Sequence, residues 1–329
     1  MEVIKGPFGE EIIFKNHGLK TLLKKKNHYF FVDSFFKESS ILKGAKNVLF
    51  LKAGEKLKTF EGLNKNAKWL TDHGATKGST VVAVGGGSIG DSVGFLASVY
   101  LRGVDFIQVP TTWLAAVDSA VGGKTALNFN GYKNQIGTVY GPKEIYFFSD
   151  LLKTSKVEDS EGEIIKTLVL NINRPWAKKS LQEWDDKKII FKDLKQFVSY
   201  KAAVVKKDIN DQKGIRAVLN LGHTVGHALE LTFDLSHSEA VKVGLLFAAG
   251  WSYKKKYLTL EVFTLMENAL KVSLLEVKSS FLIDAISKDK KSSKDRVDFI
   301  FPTLEGPVVK KVKIENLVDE YQRQVYIGR

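Results

Sequence analysis

The chain contains no cysteine among its 329 residues. This absence excludes a disulfide framework, a thiolate nucleophile and any zinc site that uses cysteine ligands. A metal ion bound by this protein must therefore take its ligands from histidine and carboxylate side chains.

Long apolar runs are also missing. No stretch reaches the roughly 18 consecutive apolar residues that a membrane-spanning helix requires, and the nearest one, AVKVGLLFAAGW, is interrupted by Lys242. The first residues, MEVIKGPFGEEIIF, lack the basic start and apolar core of a secretory signal. We therefore expect a cytoplasmic protein that does not bind membranes.

Acidic residues are fewer than basic ones: the chain has 37 Asp and Glu against 50 Lys and Arg, which gives a formal net charge of +13. Such an excess is typical of proteins that bind nucleic acid. Here, however, the lysines lie in short scattered groups such as KKKN and KKSSK, with no stripe of alternating basic and aromatic residues. We interpret the excess as a solvated surface that attracts a small anionic substrate, and we expect no nucleic-acid partner.

The length favours two domains. In the first half, short β-rich runs (HYFFV, NVLFL, TVVAV, FIQV and EIYFF) alternate with helical patterns, which predicts an α/β, Rossmann-like domain with a parallel sheet. From Asp150 onward, apolar residues recur at helical spacing, as in KDLKQFVSYKAAVV. The sequence predicts a mainly α-helical second domain, with the boundary between residues 155 and 156 and weakly patterned pieces, RVDFIFP and VKKVKI, near the end.

A glycine-rich turn lies in the run TVVAVGGGSIGDSVGFLASVYL, where a buried strand is followed by glycines and by a helix that begins near Ser88. Glycines let the backbone approach a ligand closely, and the free N–H groups at the start of a helix favour a pyrophosphate. A GGG sequence before a helix is about as often a simple tight turn, and Asp91 could merely stabilise the first helical turn. Both interpretations stay open at this point.

Three of the six histidines, His223, His227 and His237, fall close together in the sequence. His223 and His227 are four residues apart on a helical pattern, so both project from one face. A carboxylate at Glu163 could complete a His-His-Glu metal set with an open coordination position, as catalysis requires. The alternative is a packed pair of histidines without a metal.

An ordered set of motifs runs through the chain: GEKLK, GGGSIGD, YLRGVDFIQVPTT, VDSAVGGKTALN, YKNQIG, GEIIK, YKAAVV, GIRAVLNLGHTVGHALE and HSEAV. Through these motifs the chain resembles, from about residue 29 to 310, the 3-dehydroquinate synthase family of sugar-phosphate cyclases. The resemblance implies NAD and one divalent metal ion, zinc or cobalt, as cofactors, with the active site in the cleft between an NAD-binding domain, residues 1–155, and a metal- and substrate-binding domain, residues 156–329.

The resemblance implies a role for each matching residue. Glu163, His223 and His237 correspond to the zinc ligands, and His227 to a neighbouring histidine that takes part in proton transfer. The NAD contacts it implies are Asp33, Glu55, Lys58, Gly86, Gly87, Ser88, Ile89, Gly90, Asp91, Thr111, Thr112, Lys124, Lys133, Leu151, Leu152, Lys153 and Thr154. The further catalytic and substrate residues are Arg102, Asp118, Lys124, Asn134, Lys166, Lys201, Arg216, Asn220 and Lys291, with Lys290 as the alternative to the last.

The implied substrate is 3-deoxy-D-arabino-heptulosonate 7-phosphate, whose phosphate and carboxylate suit clamps of arginine and lysine. The family converts it to 3-dehydroquinate and phosphate in the shikimate pathway of aromatic amino acid and chorismate biosynthesis. Transient reduction of NAD allows β-elimination of phosphate, and the hydride is then returned. The resemblance also implies a homodimer, in which Arg102 reaches the site of the neighbouring subunit.

Two departures from the family pattern stand out. Asp33 is followed by Ser34 and Phe35, where the family commonly has Asp-x-Asn, and the connection before Glu163 is shorter by about one helical turn. Three alternatives are a 2-epi-5-epi-valiolone or 2-deoxy-scyllo-inosose synthase, a polyol dehydrogenase of the glycerol dehydrogenase type that releases NADH, and a non-catalytic homologue. The motifs VGGKTALN and YKNQIG favour the cyclase over the dehydrogenase.

Overall fold

The computed structural model describes residues 1–184, 189–288 and 295–327. The chain forms two compact units, Met1–Lys156 with Leu194–Gln212, and Val157–Asp193 with Lys213–Arg329. The first break thus lies one residue from the boundary that the sequence indicates. The segment Leu194–Gln212, which the sequence places in the second domain, groups with the first unit, where Lys195 pairs with Glu2 at 2.6 Å and Lys201 contacts Asp118.

The first unit contains a seven-stranded sheet in the order β1-β2-β9-β6-β5-β3-β4 and a separate antiparallel hairpin, β7–β8. Only β1 runs antiparallel to its neighbour in the large sheet. The strands are β1 Glu2–Lys5, β2 Glu11–Lys15, β3 His28–Asp33, β4 Val48–Leu51, β5 Thr80–Gly85, β6 Asp105–Pro110, β7 Lys124–Phe129, β8 Tyr132–Val139 and β9 Glu144–Phe148.

The inner strands of the large sheet are buried on both faces, as their continuous apolar runs require, whereas the edge strand β1 is mostly exposed. Phe30 and Val82 belong to one core cluster, whereas their neighbours Phe31 and Val81 belong to the cluster on the opposite face. This alternation follows from the two-residue repeat of a strand. The α/β fold class with a parallel sheet is confirmed.

The helices, numbered in chain order, are longest in the second half. They are α1 Leu19–Leu23, α2 Phe60–Asp72, α3 Gly87–Val99, α4 Ser149–Leu152, α5 Glu161–Leu170, α6 Pro175–Gln182, α7 Ile189–Lys207, α8 His223–Phe233, α9 His237–Lys254, α10 Leu260–Leu270, α11 Ser279–Ser287 and α12 Ile314–Ile327. The pieces RVDFIFP and VKKVKI form one antiparallel hairpin, β10 Arg296–Phe301 and β11 Val308–Lys313. Among the described residues, no helix has the length and apolar character needed to cross a bilayer.

Glycines allow three helices of the second unit to approach one another at backbone distance. A Cβ atom on Gly244 of α9 would lie 1.9 Å from the carbonyl oxygen of Gly222, and one on Gly226 of α8 would lie 2.9 Å from that of Ala240. On α5, a Cβ atom on Gly162 would lie 2.5 Å from the carbonyl oxygen of Ser238. The starts of α8 and α9 are therefore held beside the start of α5.

We expect Gly244→Ala to lower the free energy of unfolding by at least about 2 kcal/mol, because the added methyl group meets backbone that cannot swing away. Urea unfolding monitored by circular dichroism measures the loss. Gly250→Ala on the same helix is the matched control, since its methyl group meets only the end of the flexible Gln324 side chain. That variant should be neutral or slightly stabilising, and equal losses in the two variants would contradict the role of the close backbone approach.

Candidate functional site

Glu163, His223 and His237 converge in the second unit. Glu163 lies in the first turn of α5, and the two histidines are the first residues of α8 and α9. The Nε2 atoms of His223 and His237 lie 3.1 and 3.4 Å from the same carboxylate oxygen, Oε1 of Glu163. One potential ligand atom from each residue lies within 4.8 Å of the others, close enough to surround a single metal ion.

The other ring nitrogen of each histidine also has a partner. Nδ1 of His223 lies 3.1 Å from the carbonyl oxygen of Leu221, and Nδ1 of His237 lies 3.2 Å from Oε2 of Glu230. Histidines that bind metals almost always donate their second ring N–H to such an acceptor. With Nδ1 as the donor to these acceptors, the Nε2 atom of each neutral ring would be free to bind a divalent ion in place of its contact with Glu163.

Glu163 is the most deeply buried member of this group, with 1% of its surface exposed. Burial alone would raise its pKa, but the ammonium group of Lys166, the charge of His223 and hydrogen bonds from both histidines together hold the pKa well below its usual range. Lys166 contacts Oε2, while Oε1 faces the histidines. The carboxylate is therefore charged and presents one oxygen toward the centre of the cluster.

His227 lies on the same face of α8 as His223, and their ring centroids are 5.1 Å apart. Unlike His223, it is exposed. A second group of potential ligand atoms, from His227, Glu230 and His237, also lies within 4.8 Å of one another. The group around Glu163 is the better match to a catalytic metal site, since its carboxylate is buried and two imidazoles converge on one oxygen.

The residues that the resemblance assigns to NAD lie in the first unit, and many of them follow the carboxyl ends of parallel strands. Asp33 ends β3, Glu55 follows β4, Gly86 to Asp91 follow β5, and further residues follow β6 and β9. The strand order reverses between β3 and β5, because β4 lies beyond β3 while β6 lies on the other side of β5. Ligands of open α/β sheets bind in the crevice at such a reversal.

The glycine-rich turn after β5 leads directly into α3, which begins at Gly87, one residue before the predicted start. Gly86 caps the helix without a side-chain hydrogen bond. Oγ of Ser88 accepts a hydrogen bond from the backbone N–H of Gly54 at 2.9 Å, which ties this turn to the loop after β4. A Cβ atom on Gly90 would lie 2.4 Å from Nε2 of Gln108, so side-chain crowding there favours glycine.

Two of the predicted NAD contacts, Lys58 and Asp91, pair with each other. Nζ of Lys58 is 2.8 Å from Oδ2 of Asp91 and also contacts Oδ1 of Asn134. Burial raises the pKa of Asp91, although the charge of Lys58 and its hydrogen bond oppose that shift. Asn134, with a φ of 55°, is bound through its backbone N–H to Asn128, whose amide in turn donates to Glu55 at 2.7 Å.

The remaining predicted NAD contacts differ in exposure. Thr111 is buried and Thr112 is partly exposed, with its hydroxyl accepting from the N–H of Ala115. Lys133, Lys153 and Thr154 are exposed. The side chains of Leu151 and Leu152 are 1% and 0% exposed, because they fill the core. Contact of those two leucines with a ligand would therefore have to come from their backbone.

The predicted substrate residues are divided between the two units. Arg102, Asp118, Lys124, Asn134 and Lys201 belong to the first, Lys166, Arg216 and Asn220 to the second, and Lys291 with its alternative Lys290 lies outside the described residues. In the first unit, Nζ of Lys124 pairs with Asp211, and Nζ of Lys201 contacts both the carboxylate and the carbonyl oxygen of Asp118.

Arg102 lies on an unusual turn, where Leu101, Arg102 and Gly103 all have positive φ values of 48°, 63° and 101°. The ammonium group of Lys77 contacts the carbonyl oxygens of all three residues. Such a conformation is costly for residues other than glycine and persists only when surrounding contacts hold it. Sequence reasoning did not single out Lys77 or the turn.

Sequence reasoning also missed Glu230. The signal was present, because Glu230 follows His223 by seven residues and His227 by three, so all three share one face of α8. Asp211, the partner of Lys124, was missed as well, since its distance of 87 positions along the chain leaves no periodic signal.

Comparison with known families matches residues 48–292 of the chain in two successive parts. The family described as 3-dehydroquinate synthase N-terminal matches residues 48–161, and that described as 3-dehydroquinate synthase C-terminal matches residues 161–292. A curated 3-dehydroquinate synthase of Alkaliphilus metalliredigens is 37% identical over 275 residues, which cover 79% of this chain and 77% of that protein.

Solved structures share the fold at lower identity. A 2-deoxy-scyllo-inosose synthase complexed with carbaglucose-6-phosphate, NAD+ and Co2+ aligns with a TM-score of 0.81 at 22% identity. The alignment covers 98% of this chain and 100% of that one. The 2-epi-5-epi-valiolone synthase of Streptomyces hygroscopicus subsp. jinggangensis, with NAD+ and Zn2+ bound, aligns with a TM-score of 0.78 at 18% identity, covering 97% of each chain.

We expect Glu163→Gln to weaken zinc binding by more than about 100-fold, because a neutral amide is a poor ligand for a metal ion. This loss is larger than the one that follows from removing a residue that only orients a ligand. Zinc content after dialysis, measured by plasma mass spectrometry, tests this. Glu161→Gln on the same helix removes the carboxylate that pairs with Lys242 at 3.1 Å, and this variant should keep its zinc. Stoichiometric zinc in both variants would rule out the Glu163 cluster as the metal site.

Proposed function

The chain belongs to the 3-dehydroquinate synthase family, and from this premise we propose that it converts 3-deoxy-D-arabino-heptulosonate 7-phosphate to 3-dehydroquinate and phosphate. The proposal depends on one observation: the N-terminal and C-terminal family descriptions match in order over residues 48–292. The cluster of Glu163, His223 and His237 supports it independently, since these three side chains can hold the one divalent ion that the family resemblance implies.

We assign the metal to Glu163, His223 and His237, and NAD to the loops that follow β3 to β6 and β9. When bound, a divalent ion supplies Lewis acidity at a substrate hydroxyl group, and NAD supplies a hydride acceptor that each turnover restores. The protein's own contribution is to fix these groups. Glu163 is held charged by Lys166, and both imidazoles are oriented through their Nδ1 atoms.

The cationic side chains bind the two anionic ends of the substrate. Arg216 is 6% exposed, and its planar guanidinium group can bind a carboxylate or a phosphate through two parallel hydrogen bonds. Lys124 is more than half exposed in its pair with Asp211. Exposed ion pairs contribute at most about 1 kcal/mol, so a phosphate can replace the carboxylate as its partner.

Asp118 positions Lys201. The lysine is 9% exposed and its ammonium group contacts two oxygens of Asp118, which belongs to a single π-helical turn, Ala115–Ser119. Such turns are rare and frequently mark functional sites. The homodimer that the family resemblance implies and the cytoplasmic location expected from the sequence both remain proposals.

The first test is phosphate release from the heptulosonate phosphate by the purified, zinc-loaded protein with catalytic NAD, while absorbance at the NADH wavelength is followed. Many turnovers of phosphate without net NADH are expected, since the hydride returns to the product. Glu163→Gln is the inactive control, and Glu161→Gln the active one.

Other outcomes of the same assay would indicate a different enzymatic activity. NADH that accumulates with a simple polyol would replace the proposal with a dehydrogenase of the glycerol dehydrogenase type. Phosphate release from a sugar phosphate without a carboxylate, and none from the heptulosonate, would replace it with another sugar-phosphate cyclase.

We expect Arg216→Lys to raise the KM for the heptulosonate phosphate at least about 10-fold, because lysine cannot form the bidentate hydrogen bonds that a guanidinium group makes to a carboxylate or a phosphate. NAD affinity, measured by fluorescence titration, should stay unchanged. Arg323→Lys, at a side chain that is 66% exposed, is the control for the same exchange. A loss of NAD affinity in Arg216→Lys would show that Arg216 belongs to the dinucleotide subsite instead.

A further inference from the structure

Glu230 contacts the candidate metal centre without belonging to the set of Glu163, His223 and His237. Its Oε2 atom accepts the Nδ1 hydrogen of His237 at a distance of 3.2 Å, and 27% of its side chain is exposed. We propose that Glu230 is a positioning residue, which fixes the tautomer and ring orientation of His237 for metal binding. This inference rests on the metal set of the proposed function.

The argument begins with the two nitrogens of the imidazole ring. A neutral ring carries one N–H and one lone pair, so a hydrogen bond from Nδ1 to a carboxylate leaves the lone pair on Nε2. Nε2 of His237 is the atom that faces Oε1 of Glu163, at 3.4 Å. Without the carboxylate of Glu230, the other tautomer and other ring orientations of His237 become accessible. Metal binding must then select one of them, and the free energy of binding becomes less favourable.

The two histidines are oriented by different means. The acceptor for His223 is the backbone carbonyl of Leu221, two residues earlier, which no side-chain substitution removes. The acceptor for His237 is a side chain on another helix, brought into reach where α8 and α9 touch at Gly226 and Ala240. Glu230 is therefore the orienting contact that mutation can delete while all three ligands stay in place.

Glu230 could instead be a ligand, since its carboxylate, His227 and His237 also offer atoms within 4.8 Å of one another. That set is more exposed, and it lacks the convergence of two imidazoles on a buried carboxylate oxygen. The geometry thus favours Glu230 as an acceptor for the ring N–H.

The test uses the full chain and five variants: Glu230→Ala, Glu230→Gln, the ligand variants His227→Ala and Glu163→Gln, and the control Glu261→Ala. The control removes the same charge from an exposed pair with Lys178 in the same unit. Zinc affinity is measured by competition with a chromophoric chelator, and the visible spectrum of the Co2+-loaded protein reports the number of ligands. We expect Glu230→Ala to bind zinc about 10–100-fold more weakly than the parent, with the Co2+ band intensity retained.

Glu230→Gln should lose less affinity than Glu230→Ala, because its amide oxygen still accepts the ring N–H, whereas Glu261→Ala should match the parent. Equal zinc affinity of Glu230→Ala and Glu261→Ala would overturn the inference. Loss of the Co2+ bands in both Glu230→Ala and His227→Ala, with bands retained in Glu163→Gln, would also overturn it by making Glu230 a ligand. A parent chain that binds neither ion would overturn the metal set of the proposed function, and this inference with it.

Discussion

The candidate metal centre depends on the close backbone approach of α9 to both α5 and α8. Gly162 leaves no side chain between α5 and α9, and Gly222, Gly226 and Gly244 leave none between the start of α8 and α9. Because His223 and His237 are the first residues of α8 and α9, and Glu163 is the third residue of α5, the packing of the helices brings the ligand atoms together. The positions of the ligands are thus set by backbone contacts, which vary less than side-chain rotamers.

The two units prepare their sites by different physical means. In the first, parallel strands end at one edge of a sheet, and the loops there offer backbone N–H groups and short polar side chains to a dinucleotide. In the second, a buried charge is stabilised by neighbours: Glu163 keeps its charge because Lys166 and two histidines offset the cost of burial. The first arrangement suits a large ligand held by many weak contacts, and the second a small ion held by three strong ones.

The sequence was sufficient to predict strands β3, β4, β5, β6 and β9 and the helix that carries Glu163, since each has a local pattern, but β1 and β2 were not predicted. The grouping of His223 with His237 was expected from their closeness in the sequence. It was not sufficient to place Leu194–Gln212 in the first unit, because the same amphipathic helix could pack on either one. The hairpin β7–β8 was recognised as a motif but not as strands, since its exposed face breaks the apolar alternation. Asp211 and Glu230 could be identified as the partners of Lys124 and His237 only from the three-dimensional positions of the side chains.

The paired lysines of the first unit bear on the choice between a cyclase and a polyol dehydrogenase. Lys124 and Lys201 each contact an aspartate, Asp211 and Asp118, so each ammonium group has a defined place and a neutralised charge. An uncharged polyol carries no charge with which to replace the carboxylate of Asp211. A phosphate monoester, with a charge near −2 and three acceptor oxygens, can compete for the ammonium group of Lys124. Under the proposed function, the substrate phosphate would take the place of Asp211 at Lys124, whereas the substrate of a glycerol-type dehydrogenase has no phosphate to do so.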